Sequence, residues 1–321
     1  MHTSTIVNRE LRKAVEEGLG AKHKSLPSWL FYDEKGDRIF QQIMHMSEYY
    51  PTRCEYEILD HHKEDLLRYF ESQQSPFQLI ELGAGDGLKT EILLRYLCSR
   101  HVRFTYRPVD ISASVLEQLS RRLKKNLPEL EIQPVNKSYY EAVGELHGDE
   151  KKVIFFLGAN IGNFTPQEAL AFLKNISVHL EGQGLALIGF DLKKDPRIIA
   201  RAYDDEGGIT KAFNINLLRR LNRELGAQFS LTQFDHYASY DPETGAARSF
   251  LVSLKDQDVP IAALKKTYHF AHWETINTEI SQKYDLLMIE KTLSEAGLEI
   301  VDLFFDANHF FCDVLVKKSR Q

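Results

Sequence analysis

Cysteine is scarce in this chain. It has three in 321 residues, Cys54, Cys98 and Cys312. They are odd in number, far apart and without C-x-x-C spacing. That excludes a disulfide framework or a cysteine-based metal site, and it predicts reduced, buried thiols in a cytoplasmic protein. The twelve histidines form no H-x-x-x-H pair, so no metal is expected. Positive charge is not in excess: Lys and Arg number 40 against 46 Asp and Glu, for a net charge of −6. A surface for nucleic acid is therefore not expected. No apolar run approaches the roughly 18 residues of a membrane span, and the N-terminus lacks the charged start and apolar stretch of a secretory signal. Internal repeats and low-complexity linkers are also missing. What remains is a 43% apolar composition, enough for a real core, in a chain longer than a typical single domain.

The most informative stretch is Phe77-Gln-Leu-Ile-Glu-Leu-Gly-Ala-Gly-Asp-Gly-Leu-Lys89. An apolar run ends in an acid, three glycines follow at alternate positions, and a helical pattern begins with Ile92, Leu93, Leu94 and Leu97. Strand, glycine turn and helix are the first unit of a doubly wound α/β domain, whose glycine turn carries a nucleotide or nucleoside. The dinucleotide fingerprint has its third glycine one place later, where Leu88 stands. The pattern E-x-G-x-G-x-G resembles instead the first motif of S-adenosylmethionine (SAM) methyltransferases. A second strand, 102–109, ends at Asp110, placed to accept hydrogen bonds from ribose hydroxyls. The following helix is read as opening with a capping box, Ser114 to Glu117.

The βα alternation continues. Strands are predicted at 131–135, 152–157 and 185–190, and Thr165, Pro166 and Glu168 start a helix after the fourth. Ligands in such sheets bind beyond the carboxyl ends of the strands, so the loops 83–89, 110–112, 137–140 and 158–163 are expected to converge. After Asp191 the pattern changes. Two helical stretches lie in 196–225, a hairpin turns at 241–245, a further strand covers 266–270, and a helix with a Gly297 cap precedes two closing strands. Residues 3–20 read as a helix with Ile6, Leu11, Val15 and Leu19 apolar, and 26–60 are dense in aromatics. The expected organisation is a SAM-binding domain of residues 61–194 plus 285–321, and a smaller α+β substrate lobe of residues 1–60 plus 195–284 over the open sheet edge.

Taken together, these segments resemble the SAM-dependent histidine Nα-methyltransferases of ergothioneine biosynthesis, over nearly the whole chain. The resemblance rests on Leu26-Pro-Ser-Trp-Leu-Phe-Tyr-Asp33, Ser47-Glu-Tyr-Tyr-Pro-Thr-Arg53, the glycine loop and Pro108-Val-Asp-Ile-Ser112. It continues through Leu157-Gly-Ala-Asn-Ile-Gly-Asn163, Ala202-Tyr-Asp-Asp205, Phe213-Asn-Ile-Asn216 and Thr278-Glu-Ile-Ser-Gln-Lys-Tyr284. The family includes relatives acting on other aromatic amino acids, prenylated tryptophan among them.

The resemblance implies a Rossmann-like class I methyltransferase sheet, SAM as donor and S-adenosylhomocysteine as product. On the cofactor side it implies Tyr32 near the methionine part of SAM, Gly83, Gly85 and Lys89 in the glycine loop, and Asp110 at the ribose. Ser138 and Tyr139 stand where the family often has Asp-Phe, at the adenine. For the substrate it implies Asn163 and Tyr203 at the α-carboxylate, the Gly158 carbonyl near the amine and Tyr49 along the side-chain pocket. Glu279 and Ser281 match the residues that recognise imidazole. Tyr32, Asn163 and Tyr203 are the expected catalytic group. Asn160 replaces a family threonine and Ser249 a family methionine, which opens the question of which side chain is accepted.

The expected reaction is attack by the α-amine of a free amino acid, most simply L-histidine, on the SAM methyl, repeated to the trimethylated betaine hercynine. The partner is thus a small molecule, with no nucleic acid, no membrane and a monomeric state. Three other readings stand beside it: N-methylation of a tryptophan or tyrosine derivative, an NAD-dependent dehydrogenase, and a non-catalytic binding module.

Overall fold

The computed structural model describes residues 2–70, 76–146, 150–180 and 182–319, with side chains from residue 9 onward. The Ile6 side chain, read above as part of a helical stripe, lies outside the described set. In the first half of the chain the elements are α1 (His2–Gly20), α2 (Glu34–Met44), α3 (Tyr50–Phe70), β1 (Phe77–Leu82), α4 (Leu88–Ser99), β2 (Phe104–Asp110), α5 (Ala113–Asn126), β3 (Glu131–Ile132), β4 (Val135–Asn136), α6 (Tyr139–Gly144) and β5 (Lys151–Phe156). The second half continues with α7 (Pro166–His179), β6 (Leu185–Asp191), α8 (Pro196–Tyr203), α9 (Ile209–Leu225), β7 (Phe234–Asp241), β8 (Ala246–Ser253), β9 (Gln257–Ile261), β10 (Lys266–Phe270), β11 (Thr275–Gln282), α10 (Leu286–Glu295), β12 (Leu298–Phe305) and β13 (Phe311–Lys318).

The chain divides into two compact units. One comprises residues 1–49 and 195–281, the other residues 50–194 and 282–321. The first boundary falls after Tyr49 and not after residue 60, because α3 runs unbroken from Tyr50 and packs on α4 and β13 of the larger unit.

The larger unit is built on a sheet in the order β12-β13-β6-β5-β1-β2-β3, with β4 also paired to β2. Strands β6, β5, β1 and β2 are parallel, and β13 and β12 close the edge antiparallel. Buried parallel strands read as continuous apolar runs, and all seven residues of β6 are buried. The strand expected at 131–135 is split in two, since Pro134 has no N–H for the ladder. Helix α7 has the capping box read from Thr165 and Glu168, with Pro at its first turn. Helix α5 corrects the sequence reading: its N-cap is Ser112, which accepts from the Val115 N–H, and Ser114 lies inside the helix. The order of strands reverses between β1 and β5, so their carboxyl ends border the crevice where such sheets bind ligands.

In this same unit a buried ion cluster joins three segments. The Asp191 carboxylate at the end of β6 accepts from the Tyr50 hydroxyl (2.8 and 2.9 Å) and from Lys283 (2.7 Å), and it pairs with Lys194. Asp191 and Lys283 are fully buried in their side chains. Burial alone would raise the Asp191 carboxyl, but the two ammonium groups outweigh it and hold it below the usual range. Tyr50, Lys194 and Lys283 lie within two residues of the three points where the chain passes from one unit to the other.

The smaller unit has a three-stranded sheet, β11-β8-β7, a β9-β10 hairpin, helices α1, α2 and α9 around its own apolar core, and α8 against β7 and β8. The hairpin between β7 and β8 turns where the sequence placed it. Residues 24–26 are stitched to β11: Leu26 N–H donates to the Asn277 carbonyl (2.8 Å) and Asn277 N–H to that of Lys24 (2.9 Å).

Candidate active site

In the larger unit the four loops at the carboxyl ends of the strands do meet. Gly83 leaves β1 at φ +73°, in the left-handed region. A Cβ there would lie 2.7 Å from the Tyr139 hydroxyl and 3.0 Å from the Asn160 amide nitrogen, so only glycine fits. Gly85 N–H donates to one oxygen of Asp110 (3.0 Å) and Ser112 N–H to the other (2.9 Å). Burial raises the Asp110 carboxyl, against the opposing pull of these backbone donors. Each carboxylate oxygen has a further lone pair, so Asp110 can still receive two hydroxyls of a ribose. Open space surrounds the Cβ position of Gly85. A nucleoside can therefore approach this backbone closely, and the chemistry of the donor set fits SAM.

Glu81, the acid of the glycine motif, faces inward. It accepts from the Thr90 hydroxyl (2.5 Å) and from the Tyr106 hydroxyl, and burial pushes it up to about 7. Lys89, from the first turn of α4, pairs with Glu55 of α3, and Glu55 also accepts the Gly158 N–H (2.6 Å). The Lys89 ammonium would lie 3.6 Å from a Cβ on Gly158, so the first and fourth loops are adjacent. Burial pulls the lysine down, yet Glu55 outweighs it and keeps the lysine charged. Ser138 is the N-cap of α6: its hydroxyl donates to the Glu141 carboxylate (2.6 Å) and accepts the Glu141 N–H (3.4 Å). Tyr139 packs edge-on against Phe156 (5.2 Å between centroids), with its hydroxyl toward Gly83. Asn163 ends a 3-10 turn, Asn160–Asn163, and is partly buried.

The smaller unit gathers the other predicted residues into two groups. Tyr32, Phe40 and Tyr49 form an aromatic cluster with Phe213. Centroids are 5.7 Å apart for Tyr32 and Phe40, 6.3 Å for Phe40 and Tyr49, and 5.9 Å for Tyr32 and Phe213. The second group is polar. The Tyr203 hydroxyl at the end of α8 donates to the Ser281 hydroxyl (2.7 Å), and the Ser249 hydroxyl on β8 donates to Glu279 (3.2 Å). Glu279 and Ser281 occupy alternate positions of β11 and so face one side of that strand. The intervening Thr278 is fixed by Asn214 (2.7 Å) and the Ser249 carbonyl (3.0 Å).

Sequence reasoning missed β11 as a strand, and it missed Glu55, Asp313 and Gly189 entirely. A lone acid after an aromatic run carries no local signal. The one available hint was Gly189, a glycine within an otherwise apolar strand, which often marks a close approach.

Residues 11–318 match the family model described as histidine-specific methyltransferase, SAM-dependent. The chain is 36% identical over 288 residues to the histidine N-alpha-methyltransferase of Mycolicibacterium smegmatis, covering 90% of this chain and 88% of that protein. It is 34% identical to the protein of the same name from Mycobacterium tuberculosis, covering 92% and 91%. It is 30% identical to ergothioneine biosynthesis protein 1 of Neurospora crassa, covering 92% of this chain and 33% of that longer protein.

Proposed function

The chain belongs to the SAM-dependent, histidine-specific methyltransferases, and from that premise we propose that it methylates the α-amine of free L-histidine up to the trimethylated betaine. The enzyme is a SAM-dependent N-methyltransferase. The observation that supports histidine is the polarity of the pair on β11. Ser281 accepts a hydrogen bond from Tyr203, and its hydroxyl has one proton of its own to donate. Glu279 accepts from Ser249 and, when ionised, can only accept. A neutral imidazole has one N–H and one bare nitrogen, and this acceptor–donor pair complements both.

SAM supplies an electrophilic methyl on its sulfonium. The protein's part is to bind the donor and the amine and to orient them. Asp110 and the backbone of 83–85 hold the nucleoside, with Tyr139 and Ser138 at its base and Lys89 at the glycine loop. Tyr32 belongs to the methionine end. Asn163 takes the α-carboxylate and the Gly158 carbonyl orients the amine; Tyr203, whose proton goes to Ser281, acts through that serine, and Tyr49 lines the side-chain pocket. Positioning of this kind is worth up to roughly 7–11 kcal/mol when the geometry is good. The tyrosine faces of Tyr32 and Tyr49 also favour a growing ammonium charge.

A second reading has one observation in its favour. Ser249 is fully buried and stands where the family often has methionine, which leaves a smaller and more polar wall for another aromatic amino acid. Mass spectrometry of incubations with SAM and each aromatic amino acid, read for one, two or three added methyls, separates the two. Methylated tryptophan or tyrosine with unmodified histidine would overturn the histidine assignment.

A further inference from the structure

Glu55 is fully buried in the second turn of α3, yet nothing in its local sequence marks it. One of its oxygens holds the Gly158 N–H and the other the Lys89 ammonium. It thereby connects the loop after β5 to the helix that follows the glycine turn. Behind it stands Asp313 of β13, also fully buried, and among the described residues no hydrogen-bond donor meets either Asp313 oxygen. Asp313 pairs across the sheet with Gly189 of β6. A Cβ on Gly189 would lie 2.5 Å from Glu55 Oε1 and 3.1 Å from Asp313 Oδ1. The two carboxyl groups therefore meet over the one position in β6 that lacks a side chain.

Among the described residues the charged and titratable neighbours of this pair are Lys89, Glu81 of β1 and the Cys312 thiol of β13. Three carboxyl groups thus share a single ammonium. Two carboxylates in contact cannot both ionise. Burial, then the Glu55 charge, pushes the Asp313 carboxyl well above the usual range. A protonated Asp313 would supply the O–H that its surroundings lack and donate it to Glu55.

We propose that Glu55 is a positioning residue that ties Lys89 to the backbone of Gly158, and that Asp313 secures it as a neutral acid in the space left by Gly189. It rests on the proposed roles of Lys89 and Gly158, which place the methyl donor beside the first and the amine beside the second. The Glu55 tie then sets the spacing between donor and acceptor loops without itself touching either ligand.

The test uses the full chain and three variants, Glu55→Gln, Glu55→Asp and Asp313→Asn, with the SAM dissociation constant by calorimetry and steady-state constants for histidine. Glu55→Gln removes the counter-charge of Lys89, so it should weaken SAM binding and lower kcat by at least about tenfold. Glu55→Asp is too short to reach both partners and should not rescue either constant. Asp313→Asn keeps a donor toward Glu55 and should remain within about threefold of the parent on both. In a Glu81→Gln background, infrared spectra should show a protonated-carboxyl band that Asp313→Asn removes. Equal losses in Glu55→Gln and Asp313→Asn, an unaltered Glu55→Gln, or no such band would each overturn the proposal. Should Glu55→Gln fail to fold, Asp313→Asn and the infrared band still decide. Absence of SAM binding in the parent protein would instead remove the functional reading itself.

Discussion

The two units handle polarity in opposite ways. In the larger unit the polar centre is charged: Glu55, Glu81, Lys89, Asp110 and Asp313 are grouped under the strand ends with few neutral hydroxyls among them. In the smaller unit it is mostly neutral: Tyr203, Ser281, Ser249, Thr278 and Asn214 form hydrogen bonds, with Glu279 the one carboxylate in these bonds. Charged networks in a buried setting are stiff and intolerant of a missing partner. Neutral hydroxyls exchange donor and acceptor roles at small cost. On the proposed reading, the invariant methyl donor lies with the first and the amino-acid side chain with the second.

The largest expected break in this contrast is Gly83→Ala. The left-handed φ and the 2.7 Å approach to Tyr139 both oppose a Cβ, so calorimetry should show SAM affinity falling by about 100-fold or more. An alanine variant that binds SAM normally would show that the turn does not approach its ligand closely.

Next comes the titration of Glu81. Its folded value of about 7 lies above the ordinary 4.5. The stability this group contributes is therefore complete below pH 4.5 and is lost as pH rises through about 7. The loss is of the order of 3 kcal/mol at most. Thermal melts across that window should fall more steeply for the parent than for Glu81→Gln, and parallel profiles would place the ionisation elsewhere.

Glu279→Ala sharpens the comparison from the other unit. Loss of a hydrogen bond to a charged group should weaken histidine by about 10- to 100-fold, while the SAM constant moves less than about twofold. Equal loss of both constants would contradict its role as a reader of the imidazole. The smallest effect belongs to Tyr203→Phe, which deletes the donor to Ser281. A neutral hydrogen bond is worth about 1 kcal/mol, so KM for histidine should rise several-fold with SAM binding unchanged.

How much of this could be read in advance follows from sequence distance. The glycine turn, Asp110 and the Thr165 cap lie on contiguous stretches whose backbone demands are local, and they stand where the sequence placed them. The capping residue of α5 was misplaced by two positions because both serines satisfy the same short pattern. Strand β11 has only Ile276 and Ile280 as apolar residues, four positions apart, a spacing that suits a helix as well as a strand. The Tyr203–Ser281 and Ser249–Glu279 bonds join positions 78 and 30 residues apart, and no short-range pattern specifies such partners.

By itself, then, the sequence determined the βα alternation of the larger unit and its glycine turn. Those depend on periodicity and on backbone preferences within a few residues. Only the tertiary structure decided that Glu55, Asp313 and Gly189 share one buried space. Their pairing comes from how a helix and two strands pack, and the charge on each group depends on which others burial brings within reach.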